Sequence, residues 1–454
     1  MSTSTSFFSD LLTSITEQGR ALLESRLGRP GEVSLADLCE ALLSGRGEAS
    51  GVAIAGEVLE RYRSANRERK LAFFETLRDQ FGTDTEEVRA ALDALNANPA
   101  DQALLHRLHE VSEPRRQELI RRLNLAPGGT RALVDMRSDL LSMQRDVPGL
   151  SDVDRDFEHL FSSWFNRGFL VMRRIDWSTP ANILEKIIQY EAVHEIKGWD
   201  DLRRRISLAD RRLYAFFHPA LVDDLLIFVE VALTREIPGA IGPILAEERA
   251  EITAEEATTA TFYSISNCQK GLRGISFGNF LIKQVVEELR RELPGLKTFV
   301  TLSPVPGFAS WLRGALESGD AAIQELISAP QRETLAAGGW ATDAVAAKPF
   351  ETVLPSLCAH YLTREKDRKG RALDPVARFH IGNGARLERV NWLGDLSPNG
   401  LSQSHGIMVN YLYDLKFIEK NHETYAATGA VAASSTVTKQ AKLVPESKPL
   451  VPAA

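Results

Sequence analysis

Apolar residues recur at three- and four-residue intervals through most of the first 160 positions, the spacing that gathers them on one face of a helix. Phe8, Leu11, Leu12, Ile15, Leu22 and Leu23 mark such a face between Phe7 and Leu27. Ser34 precedes Leu35-Ala-Asp-Leu38 in the manner of an N-cap. Further helical periodicity runs over 51–81, 85–95, 99–111, 114–125 and 129–144, interrupted by Gly45-Arg-Gly47, Asn96-Ala-Asn98 and Pro127-Gly-Gly129. The pattern predicts an all-α bundle over 1–163 that serves packing or oligomerisation.

From Trp164 the pattern changes. Runs rich in β-branched and aromatic residues at 168–175, 213–217, 225–233, 258–266 and 298–302 read as strands. Helical spacing returns at 181–193 and again at 280–292, where Phe280, Leu281, Val285, Val286 and Leu289 share a face. Thr258 to Leu302 therefore reads as a strand–loop–helix–strand unit of a mixed α/β domain, assigned to 164–428. Past Gly429 the chain is small, polar and Pro-containing without periodicity, so 429–454 is expected to be a disordered tail.

Composition narrows the function classes. With 44% hydrophobic and 25% charged residues in 454, the chain has a globular profile and room for two or three domains. A formal charge of -7 supplies no field for diffuse nucleic-acid binding. The longest apolar run, Leu225–Leu233, carries Glu230 and is far short of the ~20 residues that span a bilayer, so no membrane partner is expected. Cys39, Cys268 and Cys358 are dispersed and odd in number, which favours a reducing compartment. No secretory or import signal stands at the N-terminus, so the cytoplasm is the expected location. His106 and His109 lack a third ligand, and no metal site is expected.

The candidate chemistry starts in the loop after the strand at 258–266. Gly271, Gly274 and Gly278 run into a helix start, with Lys270 and Arg273 adding charge, a combination suited to a pyrophosphate. Gly274-Ile-Ser276-Phe-Gly278 also matches a hydrolase nucleophile elbow, with Asp395 and His405 following in the right order. An elbow serine, however, ends its strand directly, and Ser276 stands well past the strand end near Asn267. Arg273-Gly274-Ile275-Ser276-Phe277-Gly278 resembles the coenzyme A loop of the Gcn5-related N-acetyltransferases instead, with Ser276 replacing a glycine.

Spaced segments make the resemblance specific. Glu191-Ala-Val-His194, Val231-Ala-Leu-Thr234, Phe262-Tyr-Ser-Ile-Ser266, 278–286, Leu302-Ser303-Pro304 to Phe308, Phe379-His380, Asn391-Trp392 and Ser404-His405 to Tyr411 occur in order. Together they resemble the malonyl-CoA decarboxylase family. The resemblance implies a helical N-terminal domain and an acetyltransferase-like mixed-sheet catalytic domain. It further implies a carboxy-lyase of malonate and fatty acid metabolism that converts malonyl-CoA to acetyl-CoA and CO₂, needs no cofactor beyond the coenzyme A of its substrate, and forms homo-oligomers through its helices.

By the same resemblance Ser303 and His380 are the catalytic pair. Ser303 contacts the acyl group and accepts a proton, and His380, with an ordinary pKa near 6.5, donates one. Arg273, Gly274, Ile275, Ser276, Phe277, Gly278, Asn279, Asn383 and Tyr411 are the expected substrate-binding residues. The basic run Arg364 to Arg371 reads as a solvated loop. Two other functions share the same loop, an acyl-CoA N-acyltransferase and a coenzyme A-binding scaffold without chemistry.

Overall fold

The computed structural model describes residues 33–44, 48–275 and 281–445. The helix expected at 7–27 lies outside them. The chain divides into two compact units.

The first unit holds α1 (Leu35–Leu43), α2 (Glu48–Ser64), α3 (Arg67–Asp79), α4 (Thr85–Ala97), α5 (Gln102–Ser112), α6 (Arg115–Leu123), α7 (Gly129–Met143) and α8 (Leu150–Trp164). Ser34 opens α1 in a capping box with Asp37, as its position predicts. Periodicity alone ran 51–81 together as one helix, but Asn66 caps a new helix by accepting the Arg69 N–H, and the stretch is two helices. Phe157, Phe161 and Phe165 of the α8 segment are fully buried and stack edge to face. As a compact unit it draws on more than one stretch of chain. It runs to Val171 and takes in Phe217–Leu225 and Gln269–Phe277, the last described as far as Ile275.

That last insertion is held firmly. The guanidinium of Arg137 in α7, 2% exposed, donates to the carbonyls of Gly271 and Arg273 at 2.9 Å each and pairs with Asp154 at 2.7 Å. Gly271 lies so close to α7 that a Cβ would stand 1.8 Å from the Val134 carbonyl oxygen, and no larger residue fits.

The second unit carries an eight-stranded sheet: β1 (Val171–Ile175), β2 (Arg211–Phe217), β3 (Leu225–Thr234), β4 (Thr259–Asn267), β5 (Thr298–Thr301), β6 (Ser303–Pro304), β7 (Arg386–Asn391) and β8 (Met408–Leu412). The order is β1-β2-β3-β4-β5-β8-β6, with β7 on β8. Its helices are α9 (Ala181–Tyr190), α10 (Trp199–Ile206), α11 (Gly242–Leu245), α12 (Leu281–Glu292), α13 (Phe308–Glu317), α14 (Ala321–Leu326), α15 (Ala329–Ala337), α16 (Ala344–Ala347), α17 (Val353–Arg364), α18 (Pro375–Gly382), α19 (Pro398–Ser404), α20 (Ile418–Thr428) and α21 (Ser435–Ala441). The sheet is mixed, as the alternation of strand and helix patterns predicts.

Two features of this unit bear on the site. First, β4 and β5 run parallel across the α12 connection, with Thr259–Phe262 opposite Thr298–Thr301. Burial of Leu281, Ile282, Val285, Val286 and Leu289 seats α12, worth on the order of 10 kcal/mol. The last bond between the two strands is Leu302 N–H to the Phe262 carbonyl, after which β4 continues to Asn267 and the other chain turns away at Pro304. Second, the tail expected from Gly429 is structured as far as residue 445. Ser434 caps α21, and Val437, Ala441 and Val444 are buried. A short helix with three apolar anchors carries too little periodicity to stand out in sequence, and α17 and β7 supply the tertiary contacts that order it.

Candidate active site

Ser303 is the first residue past the point where β4 and β5 part. It pairs with Val409 of β8, and Pro304 pairs with Met408, so β8 fixes its backbone where β5 has ended. Pro304 and Pro306 then carry the chain out of the sheet. At Gly307 a Cβ would lie 2.3 Å from the Tyr361 hydroxyl, so the turn requires glycine.

His380 lies in the last turn of α18. Asp374 opens that helix: one carboxylate oxygen accepts the N–H groups of Val376 and Ala377 at 2.9 Å each. The other accepts the Gly307 N–H at 3.3 Å. A single buried carboxylate thus ties the turn after Ser303 to the helix bearing His380, and burial raises its pKa above the ordinary aspartate value. Asn383 closes the helix. Its N–H and its side-chain Nδ2 both donate to the Phe379 carbonyl, so it acts as a cap one turn from the imidazole.

These elements bring Ser303 and His380 together. His380 Nε2 lies 3.3 Å from Ser303 Oγ, and its Nδ1 lies 2.8 Å from the Tyr413 hydroxyl. The Ser303 hydroxyl donates to Thr301 Oγ1 at 2.8 Å, and Thr301 Oγ1 also accepts the Tyr411 N–H. With its proton on Thr301, Ser303 offers His380 only lone pairs. Nε2 therefore carries the imidazole hydrogen, Nδ1 is the acceptor, and Tyr413 is the donor. The hydrogen bonds run in one direction, Tyr413 to His380 to Ser303 to Thr301.

The imidazole is 3% exposed and stacks on Tyr411, with ring centroids 4.7 Å apart at 23°. Burial pushes its pKa down to about 3. This corrects the expectation of a histidine titrating near 6.5: at neutral pH His380 is a neutral hydrogen-bond donor. The Tyr411 hydroxyl is fully buried and has no hydrogen-bond partner among the described residues.

Of the expected binding residues, Tyr411 and Asn383 stand in this cluster, Tyr411 against the imidazole and Asn383 in the cap. Arg273, Gly274 and Ile275 belong to the first unit. There Arg273 is exposed, Gly274 is left-handed at φ 86° and Ile275 is buried. Ser276, Phe277, Gly278 and Asn279 lie outside the described residues. Asp395 and His405, the would-be hydrolase partners, have structural surroundings. Asp395 accepts the Ser397 N–H, and His405 packs on Phe308 and Trp340. The basic run 364–371 is a turn organised by Asp367, which pairs with Arg371 and Arg378.

Sequence reasoning missed Asp374, Tyr413 and Thr301. Asp374-Pro375 carries a legible signal, an N-cap residue followed by proline at the first helical position. Thr301 and Tyr413 carry none, because they meet the pair only through strand register.

The architecture, a helical N-terminal region and a mixed-sheet domain whose central strands part beside a Ser–His pair, is that of a two-domain enzyme with an all-α and a mixed α/β part. Family models agree on which one. The description "Malonyl-CoA decarboxylase N-terminal domain" matches residues 81–165, and "Malonyl-CoA decarboxylase C-terminal domain" matches 168–451. The mitochondrial malonyl-CoA decarboxylase of Anser anser anser is 40% identical over 348 residues, 71% of this chain and 69% of that protein. The corresponding Rattus norvegicus protein is 38% identical over 355 residues, 73% of this chain and 72% of its own length. Crystal structures of malonyl-CoA decarboxylase from Rhodopseudomonas palustris and Agrobacterium vitis are 57% and 56% identical, with TM-scores of 0.85 and 0.83. They cover 89% and 90% of this chain and 98% and 99% of their own. The chain belongs to the malonyl-CoA decarboxylase family.

Proposed function

We propose that this protein decarboxylates malonyl-CoA to acetyl-CoA and CO₂, a carboxy-lyase reaction, with Ser303 and His380 as the catalytic pair. The observation that supports the pairing best is the one-directional hydrogen-bond run through His380, beside the parting of β4 and β5. Loss of CO₂ leaves an electron pair on C2, delocalised onto the thioester oxygen, and the site must stabilise that oxyanion and then protonate C2. A neutral imidazole can do both, as neutral histidine serves as an electrophile toward enolates elsewhere. The C–H acid formed is far weaker than an imidazole N–H, so transfer from Nε2 to C2 runs downhill. Tyr413 then stabilises the charge left on the ring through Nδ1. Ser303 and the unpartnered hydroxyl of Tyr411 are the groups suited to orient the carboxylate and thioester.

The thioester carbonyl is itself the electron sink, so the reaction needs no cofactor beyond the coenzyme A of the substrate. Arg273 to Ile275, continuing to Asn279, are proposed to hold its pyrophosphate, with Asn383 completing the substrate-binding set. We further infer a cytoplasmic location, supported by the three free, buried cysteines Cys39, Cys268 and Cys358, which suit a reducing compartment, and homo-oligomers assembled through the helical unit. Among the described residues no helix is long and apolar enough to cross a membrane.

Incubating purified protein with malonyl-CoA and following acetyl-CoA and CO₂ without added cofactor tests the reaction; no turnover between pH 6 and 8 rules it out. Ser303→Ala and His380→Asn are each expected to lose at least ~10²-fold in kcat, the usual contribution of a positioned acid or base. Wild-type rates in both would remove the site assignment while leaving the reaction standing.

A further inference from the structure

β8 presents two chemically different faces. Val409 and Tyr411 share the side of Ser303, while Asn410 is opposite Arg389 and Met408 is opposite Asn391, on the other side of the sheet. On that second side the structure has a cleft of about 1220 Å³ that Arg389, Asn391 and Trp392 line and that neither Ser303 nor His380 touches.

Four arginines line the cleft, Arg211, Arg235, Arg249 and Arg389, against two carboxylates, Asp210 and Glu236, so its charge is positive although the chain's is not. Asp210, 2% exposed, is shared by Arg249, at 2.5 and 2.7 Å, and Arg211, at 3.3 Å, so one carboxylate serves two guanidiniums. Arg389 has no carboxylate within ion-pair distance among the described residues. It donates instead to three neutral oxygens: Asn391 Oδ1 at 2.6 Å, Asn410 Oδ1 at 3.1 Å and the Ile237 carbonyl at 2.9 Å. Neutral acceptors aim a guanidinium without discharging it, and a planar fork so aimed matches a carboxylate or phosphate. Gly239 keeps the approach narrow and open, since a Cβ there would come within 3.3 Å of Asn391 Oδ1 and 3.5 Å of Arg389 Nη2.

We propose that this cleft is a second ligand site, separate from the decarboxylation site, that takes a small organic anion with its carboxylate or phosphate on Arg389. The volume exceeds what an inorganic ion needs, and Ile237, Pro238 and Trp392 supply apolar wall for the body of the ligand. One residue hydrogen-bonds both toward the cleft and toward the strand that carries Thr301. Asn410 accepts from Arg389 and from Asn391 Nδ2 on the cleft side, and its own Nδ2 donates to the Thr301 carbonyl at 2.8 Å. Thr301 in turn holds the Ser303 hydroxyl.

Equilibrium binding of citrate and of AMP to the full chain tests this, each measured on wild type, Ser303→Ala, Arg389→Gln and Arg389→Lys. Citrate and AMP separate a carboxylate ligand from a phosphate one. At least one is expected to bind wild type and Ser303→Ala equally, to weaken at least ~10-fold in Arg389→Gln and less in Arg389→Lys, and to resist displacement by coenzyme A. Binding of neither probe below millimolar concentration overturns the proposal. So does equal binding to folded Arg389→Gln, or displacement of the probe by coenzyme A.

Discussion

Replacing Tyr413 by phenylalanine is the sharpest probe of the hydrogen-bond run. The change removes one oxygen from a fully buried ring and leaves His380 Nδ1 without its 2.8 Å donor. A buried acceptor left unsatisfied costs about 1–3 kcal/mol. The imidazole can avoid that cost by moving its hydrogen to Nδ1, and Ser303 then turns its hydroxyl onto Nε2. Either way the proposed proton donor is lost or weakened, so kcat should fall by about 10- to 100-fold, the rate equivalent of that energy. The ring still packs against Phe262 at 6.3 Å, so the fold and the KM for malonyl-CoA should change little. Initial rates across pH 5–9 provide the measurement. Wild type should show no titration near pH 6.5, because burial holds His380 neutral with a pKa of about 3. A Tyr413→Phe enzyme with kcat within twofold of wild type, or a wild-type profile that breaks near 6.5, refutes the neutral-donor reasoning.

Three further outcomes follow from the same burial and packing. His194, His380 and His405 are held neutral by desolvation, at about 4, 3 and 4, against ~6.5 when unfolded. Depressed folded-state values mean stability is full above about pH 6.5 and is lost as pH falls toward 4. At pH 5.5 each group should cost about 1 kcal/mol, lowering the urea midpoint relative to pH 7.5, and an unchanged midpoint contradicts this. Asp374→Ala releases the Val376, Ala377 and Gly307 N–H groups and should cost about 2–3 kcal/mol by urea unfolding, with kcat falling if the segments of Ser303 and His380 carry the reaction as proposed. Native stability together with a native rate would show that the carboxylate ties nothing. Arg137→Met strips the Gly271 and Arg273 carbonyls of their donor and should raise KM for malonyl-CoA while sparing kcat; an unchanged KM in folded protein detaches α7 from substrate binding.

The helices of the first unit were legible because their apolar spacing and caps are local properties, as Ser34 and Asp37 show. The β4–α12–β5 unit was legible for the same reason. What periodicity could not show depends on contacts distant in sequence. β7 and β8 are not among the strands that periodicity predicts, because Arg389, Asn391 and Asn410 interrupt their apolar runs. Those three side chains bond one another, Asn410 across the register and Arg389 to Asn391 along the strand. Ser303 and His380 are candidates through family resemblance, and the ordinary pKa of histidine says nothing about a ring that folding seals against Tyr411.

On the proposed mechanism, the direction of the hydrogen bonds suits decarboxylation rather than acyl transfer to an amine. Acylating an amine requires a base that takes a proton from the incoming nitrogen. His380 is poorly placed for that, since Tyr413 occupies Nδ1 and Nε2 already carries hydrogen toward Ser303. Its pKa of about 3 makes it a weak base in any case. The enolate left by departing CO₂ makes the opposite demand, for a donor that stays neutral, is shielded from water and faces the place where charge develops. Burial that would disable a base therefore strengthens this donor. The same desolvation favours loss of the malonyl carboxylate, a charge that a dry site solvates poorly before it leaves as neutral CO₂.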